Sequence, residues 1–128
     1  MGQQQLLLIV LGVIVVGIAI VVGINLFNAN AVSSNRDGVV SDLNNLAAMA
    51  QQYYKKPSSM GGGNNSFTGW SIPSGLDTTA NGIYTISSTG NADSVVIQGV
   101  GTEKVGTNYV TAKISVYPSG NPVTHVVY

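Results

Sequence analysis

Near its N-terminus the chain carries an uninterrupted apolar stretch, from Leu6 to Phe27. The stretch reads LLLIVLGVIVVGIAIVVGINLF, with one amide side chain, Asn25, and no charged residue. Roughly 22 residues at a rise of about 1.5 Å each span about 30 Å, which is the thickness of the hydrocarbon core of a bilayer. Helices of soluble domains seldom run this long without a polar face. The stretch therefore predicts a membrane-inserting helix.

Two other interpretations of this stretch are weaker. A central core helix of a soluble domain is not expected at an N-terminus. A secretory signal peptide would have a shorter apolar region, about 7–15 residues, behind a basic start and before a cleavage site of small residues. Here Met1, Gly2 and three glutamines precede the apolar run, and the helical pattern continues beyond its end. We therefore expect the segment to be kept in the working protein.

Charge and cysteine content narrow the classes of function. The chain has 128 residues, with five basic and five acidic side chains and a formal net charge of zero. All of these charges lie at or after Arg36, in a remainder rich in Gly, Ser, Thr and Asn that is typical of surfaces exposed outside the cell. No basic face is available to attract nucleic acid. Cysteine is absent, which excludes disulfides, thiolate metal sites and thiol nucleophiles.

From Asn28 onward the apolar pattern becomes amphipathic without a break. Apolar residues recur at spacings of seven, four, three, four and three, which places them on one stripe of a helix. We expect this stripe to enter the core of a head domain: Val32, Val39, Leu43, Leu46, Ala50 and Tyr53. Pro57 is the first proline, and Lys55 and Lys56 suit a helix C-terminus. The sequence predicts one helix of about 50 residues, about 75 Å long, whose first half must be buried in lipid or against other copies.

Glycines interrupt this predicted helix at Gly12, Gly17, Gly23 and Gly38. Each costs up to about 1 kcal/mol relative to alanine, so the positions need an explanation. Close approach of helix backbones is one, and local loosening or bending of a long helix is another. A third is that glycine is tolerated in a lipid-facing helix. The spacing does not form a GxxxG motif, so a specific dimer is not indicated.

Residues 58–80 form a predicted loop rich in Gly, Ser, Asn and Pro. We expect Gly61, Gly62 and Gly63 to give it freedom, while apolar residues anchor it on a neighbouring surface. The anchors are Phe67, Trp70, Ile72 and Leu76. Trp70 suits the core of a small domain better than a ligand-stacking platform. A phosphate cradle at the glycines is not favoured, because no helix start or Lys-Ser/Thr pair follows them.

After the turn pair Asn81-Gly82 the chain alternates as strands do. Segments rich in β-branched and aromatic residues, separated by turn residues, predict four short antiparallel strands in a meander. The segments are Ile83–Ser88, Ser94–Val100, Tyr109–Tyr117 and Val123–Tyr128, with Gly101–Asn108 as one of the turns. One face of the sheet is expected to pack on the amphipathic half of the helix. The fold class is therefore α+β, a long N-terminal α-helix packed on a small antiparallel β-sheet.

The predicted organisation has four parts. Residues 1–28 are the apolar transmembrane or filament-core half-helix, 29–57 the amphipathic half-helix, 58–80 the Gly-rich αβ-loop and 81–128 the antiparallel sheet of the head.

The sequence offers no constellation for catalysis. His125 is the only histidine, and it lies in the last predicted strand without an obvious carboxylate partner. The acidic residues are scattered without metal-ligand spacing, and Asp37 and Asp42 do not share a helix face. No motif of a serine hydrolase, a zinc protease or a phosphate-binding loop is present. We expect a protein that is not an enzyme and that has no cofactor and no metal site.

This plan resembles the type IV pilin family over the whole chain. The segment DLNNLAAMAQQYYKKP (42–57) followed by a glycine-rich SFTGW stretch (66–70) is similar to pilin-like proteins of bacteria. The resemblance implies a structural subunit of an extracellular helical filament that serves adhesion, motility or surface attachment. It implies that apolar half-helices bundle as the filament core, as a homo-oligomer. It also implies a precursor held in the inner membrane, and the pilus assembly machinery as a partner.

The chain departs from the family pattern at its start. Family members carry a basic leader that is cut after a glycine, then an aromatic first residue and a glutamate at the fifth position. Cleavage after Gly2 would leave Gln3 first and Leu7 at the fifth position, so the usual salt bridge of the new N-terminus is missing. The terminal disulfide loop and the proline in the apolar helix are also missing. These departures indicate a divergent branch or a sequence that begins late.

We expect the surface that drives assembly to lie on the apolar helix, with tightly approaching backbones near Gly12 and Gly17. The residues assigned to it are Leu6, Leu7, Leu8, Val10, Leu11, Gly12, Ile14, Val15, Gly17, Ile18, Val21, Gly23 and Phe27. The alternative is a membrane-anchored pseudopilin of a secretion system, or a monomeric anchored module whose helix stays in lipid while the head binds a partner.

Overall fold

The computed structural model describes residues 2–128 and consists of one long helix followed by one sheet. The helix, α1, runs from Gln3 to Lys55, and a single 3₁₀ turn follows at Ser58–Met60. The strands are β1 (Gly82–Ser88), β2 (Val95–Val105), β3 (Asn108–Val116) and β4 (Val123–Val126). The predicted α+β class, a long N-terminal helix with a small antiparallel sheet, is confirmed.

The chain divides into two compact units, with the boundary after Ala31. The first unit is the apolar part of α1, and we call it the apolar segment. The second unit is Val32–Tyr128, which holds the rest of α1, the loop and the sheet, and we call it the head. The head has a hydrophobic core built from its own residues.

The sheet of the head is an antiparallel meander in the order β1-β2-β3-β4. The predicted turn at Gly101–Asn108 is wrong, because β2 continues to Val105 and pairs there with Asn108. Only Gly106 and Thr107 remain in the turn, and Gly106 has the positive φ of +66° that such a turn requires. The register of the pair shifts between Val100 and Lys104, and regular pairing resumes with Lys104 opposite Tyr109.

The core lies between one face of α1 and the inner face of the sheet. In β3, alternate residues from Val110 to Val116 are buried, as the period of a strand requires. Val39, Leu43 and Ala50 on the helix are completely buried, and Leu46 nearly so. Val32 and Tyr53, at the two ends of the predicted stripe, are only half-buried.

The loop between helix and sheet is fixed by aromatic side chains. Phe67 is fully buried, its ring centroid lies 4.8 Å from that of Tyr54, and Trp70 is 8 % exposed. Ile72 is half-buried against the same core. Leu76 does not act as an anchor, as it was expected to, because it is 37 % exposed.

Two of the three glycines in this loop, Gly62 and Gly63, are tightly packed, so the expected freedom is not found at these positions. A Cβ on Gly62 would lie 2.3 Å from the carbonyl oxygen of Lys56, and one on Gly63 would overlap the carbonyl oxygen of Ser66. Glycine is needed here because other backbone approaches too closely for a side chain.

Candidate functional site

The apolar segment exposes its side chains around the whole circumference of the helix. Among the residues predicted for assembly, Ile14 is 53 % exposed and Phe27 is 78 % exposed, with the other large side chains between these values. This set comprises Leu6, Leu7, Leu8, Val10, Leu11, Ile14, Val15, Ile18, Val21 and Phe27. An apolar surface of this extent is not stable in water, so it marks a site of association with lipid or with protein.

The three glycines of the apolar segment have open surroundings. A Cβ added at Gly12, Gly17 or Gly23 would meet no other atom within 4 Å. Nothing in residues 2–128 therefore requires glycine at these positions, in contrast to Gly38, Gly62 and Gly63 of the head. A requirement for glycine here would have to come from a neighbouring molecule that approaches the backbone closely.

The apolar segment is also compatible with crossing a membrane. An 18-residue window of α1 has a mean hydropathy of 3.3 and no buried residue, by length and composition alone. A signal sequence passes the same test. The property therefore indicates an apolar environment around the segment, which lipid or protein can provide.

The structure places the histidine, the acidic residues and the glycine run that the sequence analysis considered. No cluster of three or more His, Asp or Glu side chains lies close enough to hold a metal ion among residues 2–128. His125 lies exposed in β4. The N–H groups of Gly61, Gly62 and Gly63 donate to the carbonyl oxygens of Ser58, Pro57 and Tyr53, so they are not available to cradle a phosphate.

The head does contain a polar cluster that the sequence did not indicate, centred on Asp42. The Asp42 Oδ2 atom accepts hydrogen bonds from Tyr84 Oη at 2.6 Å, from Thr79 Oγ1 at 2.8 Å and from Asn81 Nδ2 at 3.0 Å. These donors belong to the end of the loop and to β1, so one carboxylate ties the helix to both. Charge-assisted bonds of this kind are about twice as strong as neutral ones.

The same contacts set the acidity of two groups. Partial burial raises the pKa of Asp42, but the hydrogen bonds from Tyr84, Asn81 and Thr79 together outweigh it, so the pKa lies below its usual value. Burial of the Tyr84 phenol, together with its bond to Asp42, raises the pKa of that tyrosine well above its usual value. Asp42 is therefore the charged member of the pair and Tyr84 the neutral donor at neutral pH.

A second polar contact, at Asn35, lies seven residues, or about two turns, before Asp42 on the same helix. Asn35 Nδ2 donates to the carbonyl oxygen of Asn81 at 2.8 Å, and Asn35 Oδ1 accepts the N–H groups of Thr102 and Glu103 at 3.1 and 3.2 Å. The last two groups belong to the irregular part of β2. Asn35 therefore accepts the backbone N–H groups of β2 at the point where the strand-to-strand hydrogen bonds are interrupted.

Gly38 lies between these two contacts and has a clear structural reason. A Cβ at Gly38 would lie 2.5 Å from Asn81 Oδ1. Glycine at this position lets Asn81 reach Asp42 across the helix surface. None of the three explanations derived from the sequence, which concerned bending, membrane packing or tolerance, describes this contact.

A groove runs along the helix beside the loop. It has two cavities, of about 340 and 450 Å³, which share Met49 and Gln52 as lining residues. The first also borders on Asp42 and Leu76, and the second on Trp70, Pro73, Lys55 and Lys56. The groove offers an acidic group at one end and basic groups at the other.

Comparison with known proteins adds no identification. The chain matches no protein family, no curated protein and no solved structure. A long N-terminal helix on a small antiparallel sheet is compatible with the pilin-like fold that the sequence resembles. A long apolar N-terminal helix is likewise compatible with anchoring in a membrane.

Proposed function

We propose that this protein is the structural subunit of an extracellular, type IV pilus-like helical filament. The apolar segment holds the subunit in the inner membrane before assembly, and the apolar segments of many copies then bundle as the core of the filament. The head forms its outer surface. The observation that supports this most is the fully exposed apolar segment, joined by one continuous helix to a head that has its own core.

The energetics favour burial of the segment in either environment. Complete burial of one Val, Leu or Ile side chain is worth about 1.5–3 kcal/mol, so the segment as a whole represents tens of kcal/mol. Lipid can bury this apolar surface, and so can the apolar segments of identical neighbours. The subunit can therefore move from the membrane into a filament without exposing the surface to water. A head-to-tail contact that repeats without closing generates a helical polymer.

The composition of the head agrees with a scaffold. The formal charge of the chain is zero, so many identical heads can stand close together without strong repulsion. The open glycines at Gly12 and Gly17 leave room for the backbone of a neighbouring helix. The filament would serve adhesion, motility or surface attachment.

The test introduces one charge into the segment, as Val15→Asp. In a membrane the charge costs about 2.5–3.5 kcal/mol, which roughly 15 remaining apolar residues at about −0.3 to −0.6 kcal/mol each still outweigh. In a filament core every copy would carry an unpaired charge among apolar neighbours, which is far more costly. We expect the variant to stay in the membrane fraction with a folded head, and filaments to disappear from material sheared from the cell surface.

Val15→Leu is the matched control, because it changes shape without adding charge, and it should give filaments by electron microscopy. Mass spectrometry of the sheared fraction establishes that this chain is their subunit, and the mass of the N-terminal peptide shows whether Gly2 is the cleavage site. Filaments from Val15→Asp at the wild-type yield would refute the proposal. Wild-type protein found only in detergent-solubilised membranes would favour the anchored pseudopilin or binding module instead.

A further inference from the structure

One exposed stripe of the head helix has a regular spacing that the core does not use. Asp42, Asn45, Met49, Gln52 and Lys56 follow one another at intervals of three, four, three and four residues. We call these five residues the open stripe. Asn45, Met49, Gln52 and Lys56 are exposed and Asp42 is half-buried. Intervals of three and four are the spacing with which one helix meets another along a seam.

The open stripe forms the floor of the groove described above. Met49, at its centre, lines both cavities and is 36 % exposed. Leu76 and Pro73 border it from the loop side, so an apolar rim flanks the central methionine. The two cavities leave space on both sides of Met49 for side chains that come from another molecule.

The two charges of the stripe lie at equal distances from Met49 and have opposite signs, and its two amides lie at nearly equal distances. Asp42 lies seven residues before Met49 and Lys56 seven residues after it. Asn45 lies four before and Gln52 three after, and both carry an amide that can donate and accept. A surface of this kind is complementary to a copy of itself rotated by a two-fold axis through Met49.

We propose that the open stripe is a contact between the heads of two copies of this chain whose helices run antiparallel, centred on Met49. In this arrangement Asp42 of one copy faces Lys56 of the other at each end of the contact. Asn45 faces Gln52 of the partner, and the two Met49 side chains meet at the axis. The groups that enter the two cavities of one copy are thus the side chains of the open stripe of a second copy.

Charge selects the antiparallel direction over the parallel one. A parallel pairing would place Asp42 against Asp42 and Lys56 against Lys56, which is repulsive at both ends. The internal bonds of Asp42 all end on Oδ2. Its Oδ1 atom accepts none of the hydrogen bonds between the described residues, and this oxygen is the one that would receive the lysine.

The contact goes beyond the proposed function, because it involves the head alone. The whole contact has two ion pairs, one at each end, and one small apolar centre, so a single contact is weak. If the protein forms filaments, the same contact repeats along two filaments that lie side by side in opposite directions, and the many weak contacts then act together.

The chain has no cysteine, so engineered cysteines can map the contact without background. Helices packed 8–10 Å apart bring facing residues within the Cα separation of about 4.4–6.8 Å that a disulfide needs. We would oxidise full-length Met49→Cys in detergent micelles and measure the covalent dimer. Asn44→Cys is the control, since Asn44 is exposed on another face of the helix. Circular dichroism checks that each variant is folded.

A mixture of two variants then tests the direction. Asn45→Cys mixed with Gln52→Cys should give a heterodimer, whereas Asn45→Cys alone should give no dimer above the control. Lys56→Glu in the Met49→Cys background should slow dimer formation about threefold, as the loss of exposed ion pairs predicts, while Lys55→Glu should change it little.

Two results would overturn the proposal. One is Met49→Cys dimerising no faster than Asn44→Cys. The other is Asn45→Cys dimerising with itself as readily as in the mixture, which would indicate a parallel pairing. These measurements report only the contact between two heads, so their outcome is independent of the filament yield that tests the proposed function.

Discussion

The two parts of α1 have the same backbone structure but different surroundings. In the head, one face of the helix buries Val39, Leu43 and Ala50 completely against the sheet. In the apolar segment every large side chain is at least half exposed. Short isolated helices in water are marginal, and helices in proteins owe most of their stability to packing. The head supplies that packing from its own residues, whereas the apolar segment depends on lipid or on other molecules.

Glycine shows the same difference. Gly38 in the head is required by a close contact with Asn81, but Gly17 in the apolar segment has nothing near it. The role of a residue in the head can therefore be read from this chain alone. In the apolar segment, the reason for a residue type has to be sought in contacts with a partner molecule.

The largest expected effect contrasts two leucines. Leu43→Ala should lower the free energy of unfolding of the head by about 3 kcal/mol, because it leaves a cavity in a fully buried site. Leu11→Ala should leave this quantity unchanged, since Leu11 is 56 % exposed in the apolar segment. Trp70, the only tryptophan, is buried in the head, so its fluorescence during urea unfolding in detergent reports on the head. Equal losses from both variants would contradict the division into two units.

The second effect concerns pH and is confined to the head, since every charged residue lies at or after Arg36. The pKa of Asp42 is lowered in the folded state, so its stabilisation is present above the unfolded pKa, about 4, and is lost as pH falls through the folded value. Asp42→Asn should cost about 2 kcal/mol at pH 7, and the difference from wild type should shrink below pH 4.

Asp37→Asn is the matched control for this prediction, because Asp37 is exposed on the same helix, and it should change stability by less than about 0.5 kcal/mol. Binding of the apolar segment to membranes should not vary over the same pH range. A constant difference between Asp42→Asn and wild type from pH 7 to pH 2 would show that the carboxylate charge is not what holds the cluster together.

The smallest effect compares two glycines. Gly38→Ala should destabilise the head by about 1 kcal/mol, since displacing Asn81 weakens its bond to Asp42 by more than the better helix propensity of alanine returns. Gly17→Ala should leave the unfolding of the head unchanged. If neighbouring backbones approach closely at Gly17, its yield of filaments should fall, whereas an unchanged yield would show that this glycine is only tolerated.

Local pattern was sufficient to predict the long helix, the four antiparallel strands and their meander order. It failed where a distant residue decides the outcome. Residues 101–108 contain glycine and asparagine and were predicted as a turn, but Asn35, 67 residues before Thr102, satisfies the irregular strand and keeps it in the sheet. The cluster at Asp42 was missed for the same reason, because its donors lie 37 to 42 residues away along the chain. For the apolar segment, the sequence predicts an apolar partner, and the exposed helix of a single chain is equally compatible with lipid and with other copies.

The contacts of Asn35 have a mechanical consequence. A surface fibre or an anchored protein is pulled, and a pulling force applied along α1 enters the head at its first residues. Asn35 is the first buried residue of the head helix, and its three hydrogen bonds reach the start of β1 and the middle of β2. Bonds loaded side by side share a force, whereas bonds loaded one after another break in turn. At this end of the head the first bonds to carry the force are therefore expected to be those of a neutral amide, whose strength does not change with acidity, and the charged cluster at Asp42 is loaded only after them.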